Sequence, residues 1–115
     1  MQMPKHSDEA KAYFRSLVPE GPSVEVRPMF GAVAAFVNGN MFAGLFGEDV
    51  GVKLDPPGLA ELAAVPGSGP FGPAERPMGG FWSLPAELPD AVKTSWLERA
   101  RDHVSTLPPK VRRAR

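Results

Sequence analysis

The stretch Arg27-Pro28-Met29-Phe30-Gly31-Ala32-Val33-Ala34-Ala35-Phe36-Val37-Asn38-Gly39-Asn40-Met41-Phe42-Ala43-Gly44-Leu45-Phe46 carries an apolar run on each side of Asn38-Gly39. Asn-Gly is the dipeptide best suited to a two-residue type I′ turn, because both central residues need a positive φ. Each run is close to a usual strand length, and Gly31 and Gly47 punctuate the outer ends. The stretch therefore reads as a β-hairpin at the centre of a small sheet. Counting back from the turn pairs Val37 with Asn40, Phe36 with Met41, Ala35 with Phe42 and Ala34 with Ala43. In that register one face carries Ala32, Ala34, Phe36, Met41, Ala43 and Leu45. The other carries Val33, Ala35, Val37, Asn40, Phe42, Gly44 and Phe46. Neither face is polar, whereas a hairpin with one wet side alternates. Both faces need cover.

Working outward, Ser7-Asp8-Glu9 is a helix start, with a hydroxyl N-cap and two carboxylates at the positive end of the dipole. Ala10, Tyr13, Phe14, Leu17 and Val18 follow at helical spacing, and Pro19 with Gly21-Pro22 ends the segment. Val24-Glu25-Val26-Arg27 alternates as a short strand, and Pro28 suits an edge or a bend. Val50, Val52 and Leu54 form a further strand after the Gly47-Glu48-Asp49 turn. Asp55-Pro56-Pro57 then reads as an N-cap with proline in the first turn of a short helix over 56–64. Residues 67–80 hold so many glycines and prolines that only local turns are expected there, with Phe71 and Met78 as anchors. Phe81-Trp82-Ser83-Leu84 is the last strand. A long helix over about 90–107 follows, with an expected stripe of Val92, Trp96, Ala100, His103 or Val104, and Leu107.

The fold class expected is α+β. Two layers are predicted: a mainly antiparallel sheet of about five strands with helices packed on it, in the order α-β-β-β-β-α-β-α. One domain spans 1–109, and 110–115 is a basic disordered tail. The 115 residues contain no cysteine, which excludes disulfides, thiolate metal sites and a cysteine nucleophile. The net charge is zero but uneven. Lys110, Arg112, Arg113 and Arg115 crowd the tail, which leaves an excess of carboxylates over 1–107. An acidic body argues against direct nucleic-acid binding by the domain, so any such contact, or one with an acidic partner, falls to those four tail residues. The N-terminus lacks a signal-type apolar core and no run is long enough to span a membrane, so a cytoplasmic location is expected.

Candidates for chemistry are few. His6 and His103 lack the spacing of a metal or catalytic pair, and Glu48-Asp49 and Asp55 have ordinary turn and capping roles. Gly67-Ser68-Gly69 and Gly79-Gly80 lack the following Lys-Ser/Thr and the helix of a phosphate loop. Phe36, Phe42, Phe46, Trp82 and Trp96 could stack bases, but the hairpin runs carry no Lys or Arg to accompany them, so packing or a protein interface is favoured. No cofactor, metal or catalytic residue is assigned.

The segment Arg27-Pro28-Met29-Phe30-Gly31 resembles the motif that opens the apolar hairpin in the N-terminal domain of the TfoX/Sxy family of bacterial competence regulators. Val52-Lys53-Leu54-Asp55, Pro70-Phe71 and the strand from Met78 to Leu84 before Pro85 are similar to later parts of that domain, in the same order. Ala32 stands where a second glycine is usual, and Gly51 where an aromatic is often found. The resemblance implies a stand-alone two-layer α/β domain. It also implies a non-enzymatic role connected with transcription and competence. Arg27, Met29, Phe30 and Gly31 are expected to be structural, with Phe30 packed near Phe14 or Leu17.

The function expected is a regulatory or protein-interaction module. Two alternatives stand beside it: a small-molecule-binding domain or cryptic enzyme with 67–80 as a lid, and weak nucleic-acid binding through the basic tail. The two long helices are expected to lie together on one sheet face, the one with Phe36, Met41 and Leu45. That leaves the face with Val33, Val37, Phe42 and Phe46 as the interface for a protein partner or for a second copy in a homodimer.

Overall fold

The computed structural model describes residues 7–29, 32–73, 75 and 78–108. Helix α1 (Asp8–Leu17) starts as its sequence dictates, with the Ala10 N–H donating to Ser7 Oγ at 3.0 Å, a cap that contributes about 1 kcal/mol. Strands β1 (Val24–Met29), β2 (Ala32–Val37), β3 (Asn40–Phe46) and β4 (Asp49–Lys53) follow as a meander. Helix α2 (Pro56–Ala63) is capped by Asp55, which accepts from the Gly58 N–H at 2.9 Å. The chain then forms β5 (Gly69–Pro70), β6 (Phe81–Ser83) and α3 (Asp90–Ser105). The sheet is six-stranded and antiparallel throughout, in the order β1-β2-β3-β4-β6-β5. β5 is the addition to expectation: two residues of the glycine-rich stretch pair with β6.

At the β2–β3 turn Asn38 and Gly39 have φ of 53° and 82°, the left-handed pair that a type I′ turn requires. β1 is an edge strand, and the Asn38 N–H donates to the Ser23 carbonyl at 3.2 Å in continuation of its ladder. With that parity Glu25, Arg27 and Met29 exchange hydrogen bonds with β2, while Val24, Val26 and Pro28 turn their backbone groups outward. The N–H that proline lacks is therefore one the sheet does not use.

The hairpin register departs from the simple count. Val37 faces Asn40 and Phe36 faces Met41, but Ala35 faces Ala43 and Ala34 faces Gly44. Phe42 is the extra residue of a β-bulge, and beyond it every β3 side chain changes face. Val33, Ala35, Val37, Phe42, Ala43 and Leu45 then share one buried core with Val50 and Val52 of β4. Phe14 and Leu17 of α1, Leu62 of α2, and Leu97, Ala100 and Val104 of α3 complete that core. All three helices thus lie on one side. This corrects the interface assignment. Val33, Val37 and Phe42 are 3%, 4% and 0% exposed beneath the helices. Phe46 alone of that set lies on the other face, with Phe36, Met41 and Gly44.

The second face is covered in part by the 67–80 segment. Phe71 is buried against the sheet, stacked on Phe81 at 5.9 Å between ring centroids and edge-on to Phe46 at 6.4 Å. Its ring lies over the adjacent pair Gly44 and Gly51; a Cβ on Gly51 would come within 2.3 Å of that ring. In α3 the buried stripe is Lys93, Leu97, Ala100 and Val104. The expected stripe stepped by four residues, which drifts about 40° per step on a 3.6-residue helix. Val92 is accordingly exposed and Trp96 half-buried. Phe30, Gly31, Lys110, Arg112, Arg113, Arg115 and the side chain of Met29 lie outside the described residues, and so do the expectations placed on them.

Arg99 of α3 clasps Glu61 of α2 through two parallel hydrogen bonds, Nη1 to Oε1 at 3.1 Å and Nη2 to Oε2 at 3.0 Å. Those bonds, then the guanidinium charge, hold the Glu61 carboxyl below its ordinary value. A depressed folded-state value means that the pair contributes at neutral pH, and that the contribution fades as acid protonates Glu61. Because the pair is exposed, its weight is small.

Three outcomes follow. Phe42→Ala should cost about 3–5 kcal/mol in urea unfolding, and Phe42→Lys should unfold the domain without passing through a folded monomer. Gly51→Ala should cost about 1–3 kcal/mol by overpacking against Phe71; Phe71→Ala should cost less in that background than in the parent, as a double-mutant cycle would read. In a carboxyl NMR titration the Glu61 midpoint should rise in Arg99→Gln; an unchanged midpoint would show that the clasp does not form in solution.

Candidate functional site

Strand alternation on β1, β2 and β3 brings Glu25, Arg27, Phe36 and Met41 together on the helix-free face. Arg27 and Ala34 are direct partners, as are Glu25 and Phe36, so the Arg27 side chain reaches diagonally across to the Phe36 ring. The guanidinium carbon sits 4.2 Å from the ring centroid, within cation–π range. Arg27 Nε is 3.5 Å from Glu25 Oε2, close enough for charge attraction but without a hydrogen bond. That Nε is covered and has no acceptor among the described residues, although the side chain as a whole is 39% exposed. Phe36 and Met41 are half-buried. The patch thus presents an aromatic ring, a thioether, one cation and one anion.

A second site lies on the helix side, at the end of the sheet where β3 turns into β4. Lys93, one turn into α3, is only 6% exposed. Its Nζ donates to the Tyr13 hydroxyl at 2.9 Å and to the Ala86 carbonyl at 3.0 Å, and lies 5.0 Å from the Tyr13 ring centroid. The Tyr13 hydroxyl in turn donates to Asp90 Oδ1 at 2.6 Å. Lys93 makes no ion pair among the described residues. Tyr13 and Lys93 border a cleft of about 280 Å³, shared with Ala10, Leu45, Val50, Leu84 and Ala86 and with Glu48 and Asp49 from the β3–β4 turn.

The described residues of the 67–80 segment are held down at several points. Besides the buried Phe71, the Met78 N–H donates to the Phe71 carbonyl at 2.9 Å, Ser83 Oγ to the Pro70 carbonyl at 3.1 Å, and Trp82 Nε1 to Ser68 Oγ at 3.1 Å. An apolar groove of about 600 Å³ runs between this segment and Leu59, Ala60 and Ala63 of α2. His103 is half-buried in α3, and its neighbour Asp102 pairs with Arg101 at 3.2 Å. No group of three His, Asp or Glu that could hold a metal occurs among the described residues.

Of the residues singled out in the sequence, the structure brings Arg27 into a surface cluster, and Phe46 to the same sheet face beside Phe71. Phe36 and Met41 were assigned to the helices and belong instead to the surface patch. Lys93 and Tyr13 were not singled out as a site. The signal for Lys93 was present, since 93, 97, 100 and 104 follow the i, i+4, i+7, i+11 rhythm of one buried face.

No curated protein is significantly similar to the chain. A family model described as the TfoX N-terminal domain matches residues 15–104, from the last turn of α1 to the last turn of α3 and through every strand of the sheet. The chain belongs to the TfoX N-terminal domain family.

Proposed function

We propose that this chain is a non-enzymatic, cytoplasmic regulatory module that works by docking protein on the helix-free face of its sheet, and that it does so first with a second copy of itself. The reading is supported by membership of a domain family associated with competence regulators, from which a link to transcription is extended. Any contact with nucleic acid is assigned to the basic tail.

The observation that carries the reading is the Arg27–Phe36 patch. Arginine and aromatic side chains are the types enriched where interfaces concentrate their energy. The patch is also self-complementary. Glu25 and Arg27 lie two residues apart on one strand, Glu25 directly opposite Phe36 and Arg27 diagonal to it. A two-fold axis that crosses β1 between Glu25 and Arg27 brings the Glu25 of each copy to the Arg27 of the other. That contact gives the exposed part of the Arg27 guanidinium a carboxylate from the second copy. The burial of Phe36 and Met41 against their counterparts supplies the apolar centre.

Sedimentation equilibrium tests this directly. The parent should be a dimer, and Phe36→Asp should be monomeric with an unchanged far-UV spectrum. Glu25→Arg and Arg27→Glu should each weaken the dimer, and the double charge swap should restore it. A parent that stays monomeric at high concentration overturns self-association. A dimer indifferent to Phe36→Asp assigns the contact to another surface.

A further inference from the structure

A buried ammonium is costly unless a counter-charge or a full set of acceptors offsets it. Lys93 has neither. Its ammonium carries three N–H donors, and the acceptors it meets among the described residues are two neutral oxygens, the Tyr13 hydroxyl and the Ala86 carbonyl. Its position makes the deficit worse, because the first turn of a helix is the positive end of the dipole. Asp90 is engaged through the Tyr13 hydroxyl and makes no ion pair with Lys93. The cleft beside this ammonium has apolar walls, and on the β3–β4 turn it has two exposed carboxylates, Glu48 and Asp49.

We infer that this cleft binds a free amino acid with an apolar side chain. The ligand carboxylate takes the unspent N–H of Lys93. Its ammonium faces Glu48 and Asp49, and its side chain lies against Leu45, Val50 and Leu84. The charge pattern selects the zwitterion: a simple anion meets two carboxylates at the turn, and a simple amine meets the buried ammonium. A space of about 280 Å³ holds roughly nine waters at the density of the liquid, room for a molecule of leucine's size. The site is independent of the Arg27–Phe36 face, which lies on the other side of the sheet.

Amide NMR titration of the intact chain with L-leucine, L-valine, N-acetyl-leucine, leucinamide, acetate and butylamine tests the assignment. Leucine or valine should give saturable shifts at Ala10, Glu48 to Val50 and Ala86. Blocking either charge should weaken binding at least tenfold, and acetate and butylamine should leave those signals in place. Lys93→Met should abolish binding. Should that variant fail to fold, the exposed pair Glu48→Gln with Asp49→Asn gives the second reading, a tenfold or greater loss. No saturable shift with any zwitterion at millimolar concentration overturns the inference. So does N-acetyl-leucine binding as tightly as leucine, or binding that survives both sets of substitutions unchanged.

Discussion

In an antiparallel pair each residue's face is fixed by its count from the turn, so a single unpaired residue reverses everything beyond it. Phe42 is that residue. Without it, Ala43 and Leu45 would point away from the helices, and Gly44 would stand where the helix-side core needs volume. With it, β3 gives the helices Phe42, Ala43 and Leu45 and leaves Gly44 on the opposite side. The placing of α1 and α3, the depth of the core and the site where Phe71 can lie flat all depend on the local widening at Phe42.

The two faces are closed by different means. The helix side is a conventional layer of aliphatic side chains from three helices. On the other side no helix is present among the described residues, and the sheet is thinned there by Gly44 and Gly51 on adjacent strands. One aromatic ring fills that depression and meets Phe46 and Phe81 at its edges. The ring covers the β3–β4–β6 half only. On the β1–β2 half Arg27 lies over Phe36, a looser cover because its guanidinium still reaches water. The surface that remains open follows from where the glycines are.

Much of this was legible in the residues. Asn38-Gly39 announced the turn, Ser7 and Asp55 the two capped helices, and the apolar character of both hairpin faces the need for two covers. The bulge was not legible, because MFAGLF alternates no better in one register than in the other; the choice is made by tertiary packing of Phe42 under α3. Phe71 was expected to anchor its loop, but its seat on two glycines required knowing that Gly44 and Gly51 become neighbours, which the register alone decides. Lys93 was passed over because a charged residue is ordinarily assigned to the wet side of a helix. Its two polar partners come from α1 and from the turn before α3, Tyr13 in turn meets Asp90, and only the fold brings these together.

The placing of α3 has a consequence for synthesis. The four strands of the meander and α2 leave the ribosome before α3, yet Leu97, Ala100 and Val104 are what close the sheet from β2 to β4. Until those residues emerge, Val33, Ala35, Phe42 and Leu45 are a naked apolar surface bordered by unpaired strand backbone, the kind of species that aggregates or recruits chaperones. The hairpins can form early because their contacts are local, but the domain cannot become cooperative until nearly all of this sequence is outside the exit tunnel. Codon pauses within the α3 segment would lengthen the life of that intermediate, whereas pauses within the first hairpin would not.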